Sequence, residues 1–205
     1  MLLTLLRILE LRSGTIELDG VDISQVRLDL LRERCFITVS QDPLLLSNET
    51  LRFNLDPNGS LSNDIIIHAL ERTGIWNHFI DGGDGMNGGL GADDISAFGE
   101  HPILDKKVSQ FPQLSVGQCQ LFDLCRALVK VNSVQCAGVK PVVLLDEVTS
   151  SLDFDTESTI HSIINGEFTE KGHTVIIVAH RLSVLAEHTK PGRDVVVSLD
   201  QFSYS

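Results

Sequence analysis

Apolar and polar positions recur with two different periods along this chain, and the changes of period mark its elements. Residues 1–10, Met1-Leu2-Leu3-Thr4-Leu5-Leu6-Arg7-Ile8-Leu9-Glu10, read as an amphipathic helix that Ser13-Gly14 stops. Thr15 to Leu18 alternates as a short strand, and Asp19-Gly20 is a turn signal. Leu28 to Arg32 predicts a short helix. Phe36-Ile37-Thr38-Val39 predicts a β-branched strand ending at Ser40-Gln41-Asp42-Pro43, and Thr50 to Leu55 a further short segment closed by Asp56-Pro57. Ser62 begins a capped helix whose apolar face runs over Asp64 to Thr73. Asp81 to Gly99 is rich in Gly and Asp, lacks a period and predicts a loop.

A helical region starts at Leu114 and runs to about Val131. Pro141-Val142-Val143-Leu144-Leu145 then gives an apolar run with β-branched members, the pattern of a strand buried on both faces. Asp155 to Asn165 predicts a helix, Thr174 to Val178 a second strongly apolar strand, and Val195-Val196-Val197 a last strand. Strands alternating with helices imply an α/β fold, a mostly parallel central sheet flanked by helices. There is no internal repeat.

Composition narrows the function classes. The chain has 205 residues, 42% hydrophobic, with a mean hydropathy of +0.12, which suits a packed domain and not a disordered one. A formal charge of -12 and a pI near 4.9 argue against nucleic acid or an anionic membrane as a partner. Acidity does not exclude a nucleotide, because a local nest of N–H groups can bind phosphate. The cysteines, Cys35, Cys119, Cys125 and Cys136, form no CxxC pair and no zinc spacing, so they read as reduced thiols, three of them packed. No apolar run approaches the ~20 residues that span a bilayer. The N-terminus lacks the basic start and small-residue cleavage site of a signal peptide. A calcium loop starting at Asp81 fails, because Ala92 stands where a Glu is needed.

The chemistry lies at the ends of the apolar strands. Asp146-Glu147 follow Leu145 directly, and carboxyl ends of parallel strands are where open α/β sheets bind ligands. One carboxylate there can hold Mg²⁺ through water while its neighbour orients an attacking water. Alone, the pair also reads as a strand followed by a charged helix cap. Gln41 after the Phe36–Val39 strand reads alone as a solvated turn residue. Leu114-Ser115-Val116-Gly117-Gln118 opens a helix, where free N–H groups and the helix dipole favour an anion. Alone, it is an ordinary Ser115 cap. His180 in Ile177-Val178-Ala179-His180-Arg181-Leu182 sits at a strand end, where a neutral imidazole can donate to a phosphate. The other histidines, His68, His78, His101, His161, His173 and His188, read as surface or loop residues.

Together, in this order, the runs resemble the Q-loop, signature motif, Walker B strand with D-loop, and H-loop of ATP-binding cassette (ABC) ATPases. The resemblance extends from Leu2 to about Leu199. Leu51-Arg52-Phe53-Asn54-Leu55-Asp56-Pro57, Val116 and Glu147 resemble the second nucleotide-binding domain of the C subfamily, the multidrug-resistance-protein type. It implies a P-loop-NTPase-like fold over 1–205, with a helical signature subdomain inserted at about 48–130. It implies Mg²⁺ at Asp146 and Gln41, Glu147 as general base and His180 at the γ-phosphate of ATP. Ser115, Gly117 and Gln118 would act across a dimer, and Val116 and Asp153 would also bind ATP. The implied partners are a second nucleotide-binding domain and transmembrane domains, placing the chain on the cytoplasmic face of a membrane and powering export.

The chain departs from that family in several ways. No GxxxxGK[S/T] run occurs, so the sequence looks N-terminally truncated, as a gene model, a pseudogene or a real short product would be. Cys119 stands at a usually basic position, Ser151 replaces the common Ala of the D-loop, and Val131 to Lys140 lengthens a link. Hydrogen bonds to charged groups contribute roughly 1.5–3 kcal/mol each. Without the phosphate cradle, ATP affinity should fall at least about a thousandfold, and the chain alone should not hydrolyse ATP. The alternatives are a fragment that donates its signature face to another ATPase domain, and an inert or regulatory fragment. A chromosome-maintenance or translation-factor ATPase would carry a coiled-coil insertion or twin cassettes, and neither is present.

Overall fold

The computed structural model describes residues 1–81, 101–135, 140–149, 152–179 and 189–197. The expected loop after Asp81, together with His180, His188, Cys136 and Ser151, falls outside them. The centre is a parallel sheet of order β3 (Phe36–Val39), β4 (Val142–Asp146), β5 (Val175–Val178), as the three apolar runs predict. Phe36 pairs with Val142 and Val39 with Leu145; Val143 pairs with Val175 and Asp146 with Val178.

The period-two alternation of the strands divides the core. Ile37, Val39, Val143, Leu145, Val175 and Ile177 face a large cluster built with the helices. Those helices are α3 (Leu51–Leu55), α4 (Asn63–Arg72), α5 (Trp76–Asp81), α6 (Val116–Gln135) and α7 (Phe154–Ile164). Phe36, Val142, Leu144 and Ile176 face the other way, onto a small cluster with Ile23 and Leu31. That second side is covered by α1 (Leu2–Leu5), the hairpin of β1 (Glu17–Leu18) and β2 (Val21–Asp22), and α2 (Leu28–Leu30), which runs into a π-turn. The hairpin forms where Asp19-Gly20 signals it: both residues have positive φ (50° and 78°), the requirement of a type I′ turn.

Several expectations are corrected. The first helix stops at Leu5 instead of reaching residue 10. Arg7 adopts φ 50°, its N–H donates to Thr4 O (3.0 Å), and Ile8 N–H donates to Leu3 O (2.8 Å), which is a Schellman ending. Arg32 then takes the carbonyls of Leu6 and Arg7 (2.9 and 3.0 Å), which a longer helix would have used. Val195–Val197 form no strand: they pair with none of β1–β5 and are 62–85% exposed. β-propensity needs a neighbouring strand to act on.

Of the histidines read as surface or loop residues, His101, His161 and His173 are buried, His101 and His173 in connecting segments and His161 on α7. His101 Nδ1 accepts the N–H groups of Ile103 and Leu104 (both 3.2 Å), and its ring lies 6.2 Å from that of Trp76. His173 bonds Pro141 O through Nδ1 (3.2 Å) and Gln135 Nε2 through Nε2 (2.7 Å), which fixes a neutral ring with the proton on Nδ1. Of the described cysteines, Cys125 is buried and Cys35 and Cys119 are half-buried, all three as free thiols. Burial pushes the Cys125 thiol up to about 12, so it stays protonated and inert.

Candidate functional site

Parallel register aligns the carboxyl ends of β3, β4 and β5. Because Val39 pairs with Leu145, Ser40 and Gln41 leave β3 beside the point where Asp146 and Glu147 leave β4. Asp146 closes β4 as an exposed carboxylate after four buried apolar residues. Glu147 is half-buried, and its backbone sits in the left-handed region at φ 50°. Its N–H donates to Val178 O (3.0 Å), so the end of β5 holds the chain in that turn. A left-handed non-glycine residue costs of order 1–3 kcal/mol, and such positions cluster where side chains are aimed for function. Ala179 is the last described residue at this end of β5; His180 falls outside.

The helix α6 begins where Ser115 predicts a cap. Ser115 Oγ accepts Gln118 N–H (3.2 Å), and Gln118 Oε1 accepts Ser115 N–H (2.9 Å), a reciprocal capping box. Both side chains are thereby engaged in the helix start. The remaining first-turn N–H groups belong to Val116, which is 64% exposed, and Gly117, which has no Cβ to cover them. Gly117 also fits a close approach: a Cβ there would lie 2.9 Å from Thr156 Cγ2. Thr156 belongs to the first turn of α7, whose cap is Asp153. Asp153 accepts from Thr156 N–H (3.0 Å) and Thr156 Oγ1 (2.8 Å). Those two bonds hold the Asp153 carboxyl below the usual carboxylate range. The starts of α6 and α7 therefore touch, linking Asp153 through Thr156 to Gly117.

The structure thus brings Gln41, Asp146 and Glu147 to one end of the sheet, and Gly117 and Asp153 to the touching starts of two helices. Asp146 and Gln41 offer oxygen donors of the kind Mg²⁺ prefers. Among the described residues no group of three His, Cys, Asp or Glu side chains could hold a metal.

Sequence reasoning did not single out Gln120, Asp123, Arg126 or Thr156. Gln120 and Asp123 are buried on α6 and bond the loop after β3, while Arg126 reaches the same loop from a half-buried position. One signal was available: Asp123 interrupts the apolar run Leu121-Phe122-Asp123-Leu124-Cys125 on a helix face that should be buried.

Residues 1–150 match the ABC transporter family. The chain is similar to ABC multidrug transporter B of Aspergillus fumigatus, 33% identical over 190 residues, which cover 93% of this chain and 11% of that protein. It is 34% identical over 190 residues to human ATP-binding cassette sub-family C member 3, covering 93% of this chain and 10% of the relative. It is 38% identical over 188 residues to Multidrug resistance protein mrp-7 of Caenorhabditis elegans, covering 92% of this chain and 10% of that protein. The chain spans about a tenth of the length of these relatives.

Proposed function

We propose, from the premise that this chain belongs to the ABC transporter family, that it is part of a nucleotide-binding domain of the second, C-subfamily type, handling Mg-ATP. The observation that carries this reading is the shared sheet end, where parallel register sets Gln41 beside Asp146 and a left-handed Glu147. Asp146 and Gln41 would hold Mg²⁺, which supplies charge neutralisation at the phosphates when bound. Glu147 accepts the proton of the attacking water, and His180 donates to the γ-phosphate. The N–H groups at the start of α6, with Ser115, Val116, Gly117 and Gln118, face phosphate from a partner domain, and Asp153 shapes the adjoining turn. Residues 1–205 make up this partial domain, with a helical signature subdomain at about 48–130 inserted in its core. Its partners would be a second nucleotide-binding domain and transmembrane domains at the cytoplasmic face of a membrane. No helix among the described residues is long and apolar enough to cross one.

The sequence given holds no GxxxxGK[S/T] run, so this chain by itself should release phosphate from Mg-ATP no faster than background. Turnover that disappears in Glu147→Gln would overturn that expectation while supporting Glu147 as the base. A second reading, donation of the signature face to another domain's ATP, is favoured by the exposed Val116 at the start of α6. It requires ATP-dependent association with an intact nucleotide-binding domain, lost in Ser115→Arg. No association at any ATP concentration would sink it.

A further inference from the structure

The loop after β3 is tied down by side chains from one stripe of α6. Ser40 N–H donates to Asp123 Oδ2 (3.0 Å), and Gln41 O accepts from Gln120 Nε2 (2.5 Å). Leu44 O accepts from Arg126 Nη2 (2.7 Å). Arg126 also donates to Asn54 O (2.8 Å) and to Asp123 Oδ1 (2.7 Å). Gln120, Asp123 and Arg126 recur every third residue, so they meet the loop as one row. On the loop side the bonds at Ser40 N–H, Gln41 O and Leu44 O reach main-chain atoms, and the Ser40 side chain also bonds Asp123.

We propose that Asp123 is a positioning residue, the latch by which α6 sets the loop that carries Gln41. The functional half of this rests on the reading of Gln41 as a nucleotide-facing residue. Asp123 and Arg126 each touch both the loop and one another, and of the two Asp123 is the buried one and holds Ser40, next to Gln41. Phe122, Leu124 and Cys125 beside it are buried, so packing alone would place an apolar side chain at 123. Burial pushes the Asp123 carboxyl up, against the lowering effect of Ser40 N–H and Arg126. A buried carboxylate costs free energy unless its bonds repay it. Gln120 cannot replace it, since its Oε1 is buried without a partner among the described groups and only its Nε2 engages the loop.

Amide exchange by NMR on the full chain tests the latch. Asp123→Ala should speed exchange at Ser40 by about tenfold, the loss of roughly one charge-assisted hydrogen bond. Asp123→Asn keeps an acceptor oxygen and should give clearly less. Amides within β3 and β4 should not change. Unchanged exchange at Ser40 in Asp123→Ala would overturn the proposal, as would equal acceleration at Ser40 and throughout β3 and β4. A second measurement uses millimolar Mn-ATP, whose unpaired electrons broaden nearby signals even at low occupancy. The Gln41 side-chain amide should broaden in the unsubstituted chain and far less in Asp123→Ala. If Gln41 never broadens but Ser40 still responds to Asp123→Ala, the nucleotide reading falls and the latch stands.

Discussion

The two faces of the sheet are built from the same strands and treated very differently. Val143 and Leu145 of β4 point into a cluster joined by α3 to α7, and Val142 and Leu144 point into a few residues under the hairpin and α2. All four are buried, so exposure alone would rate them equal. What differs is the cover. The helical face is closed by long elements and by an ion-pair knot, where buried Glu167 meets Arg72 Nε (2.6 Å) and Lys171 (2.7 Å). The other face is roofed by short elements that leave Leu3, Ile8, Leu9, Leu11, Val21, Leu28 and Leu30 39–57% exposed. Burial of a residue and rigidity of its surroundings are separate quantities, and only the second decides how far a cavity can collapse.

The sharpest test uses two neighbours on one strand. Leu145→Ala should cost about 4 kcal/mol and Leu144→Ala about 2 kcal/mol in urea unfolding, because the thin roof over Leu144 can settle into the space. Equal losses would mean that the roof is as rigid as the helical side.

A smaller effect should appear with pH, and on the helical face. Burial lowers the pKa of both His101 and His173. In the folded protein each is held neutral, His101 by accepting two N–H groups and His173 by accepting from Gln135. A depressed folded value means the stability is fully present above 6.5, the ordinary value, and is lost as pH falls through the lower folded one. Thermal unfolding should therefore be flat above pH 6.5 and fall below it. His101→Asn keeps an acceptor for the turn and should flatten part of that fall, about 1 kcal/mol for one cap. A pH profile identical in His101→Asn would remove His101 from the account.

How much of this was legible beforehand depends on the range of the signal. β3, β4, β5, α4 and α7 were read within a few residues, because each carries its own period and ends at its own polar residues. Asp146, Glu147 and Gln41 were placed at strand ends for the same reason. The end of α1 was misread because its left-handed residue is Arg7, where sequence rules look for Gly, and the bonds that hold it come from Ile23, Val26 and Arg32. Buried histidines were missed because a histidine in a sequence does not announce its acceptor. Asp123 was visible as an acid in an apolar run, but its meaning needed Ser40, 83 positions away.

The end of α1 also gives the smallest test of the comparison. Arg7 does opposite things at once: its left-handed backbone costs roughly 1–2 kcal/mol, and its guanidinium donates to Ile23 O (3.1 Å) and Val26 O (2.7 Å), pinning the thin roof. Arg7→Ala keeps the strained backbone and loses both bonds, so it should destabilise by about 1–2 kcal/mol. Arg7→Gly loses the same bonds but relieves the strain, so its cost should fall below about 1 kcal/mol. The order of the two variants is the decisive result, since both remove the same side-chain contacts. A glycine variant as damaged as the alanine one would mean that the turn is not strained, and that the roof is held by its apolar contacts instead of by Arg7.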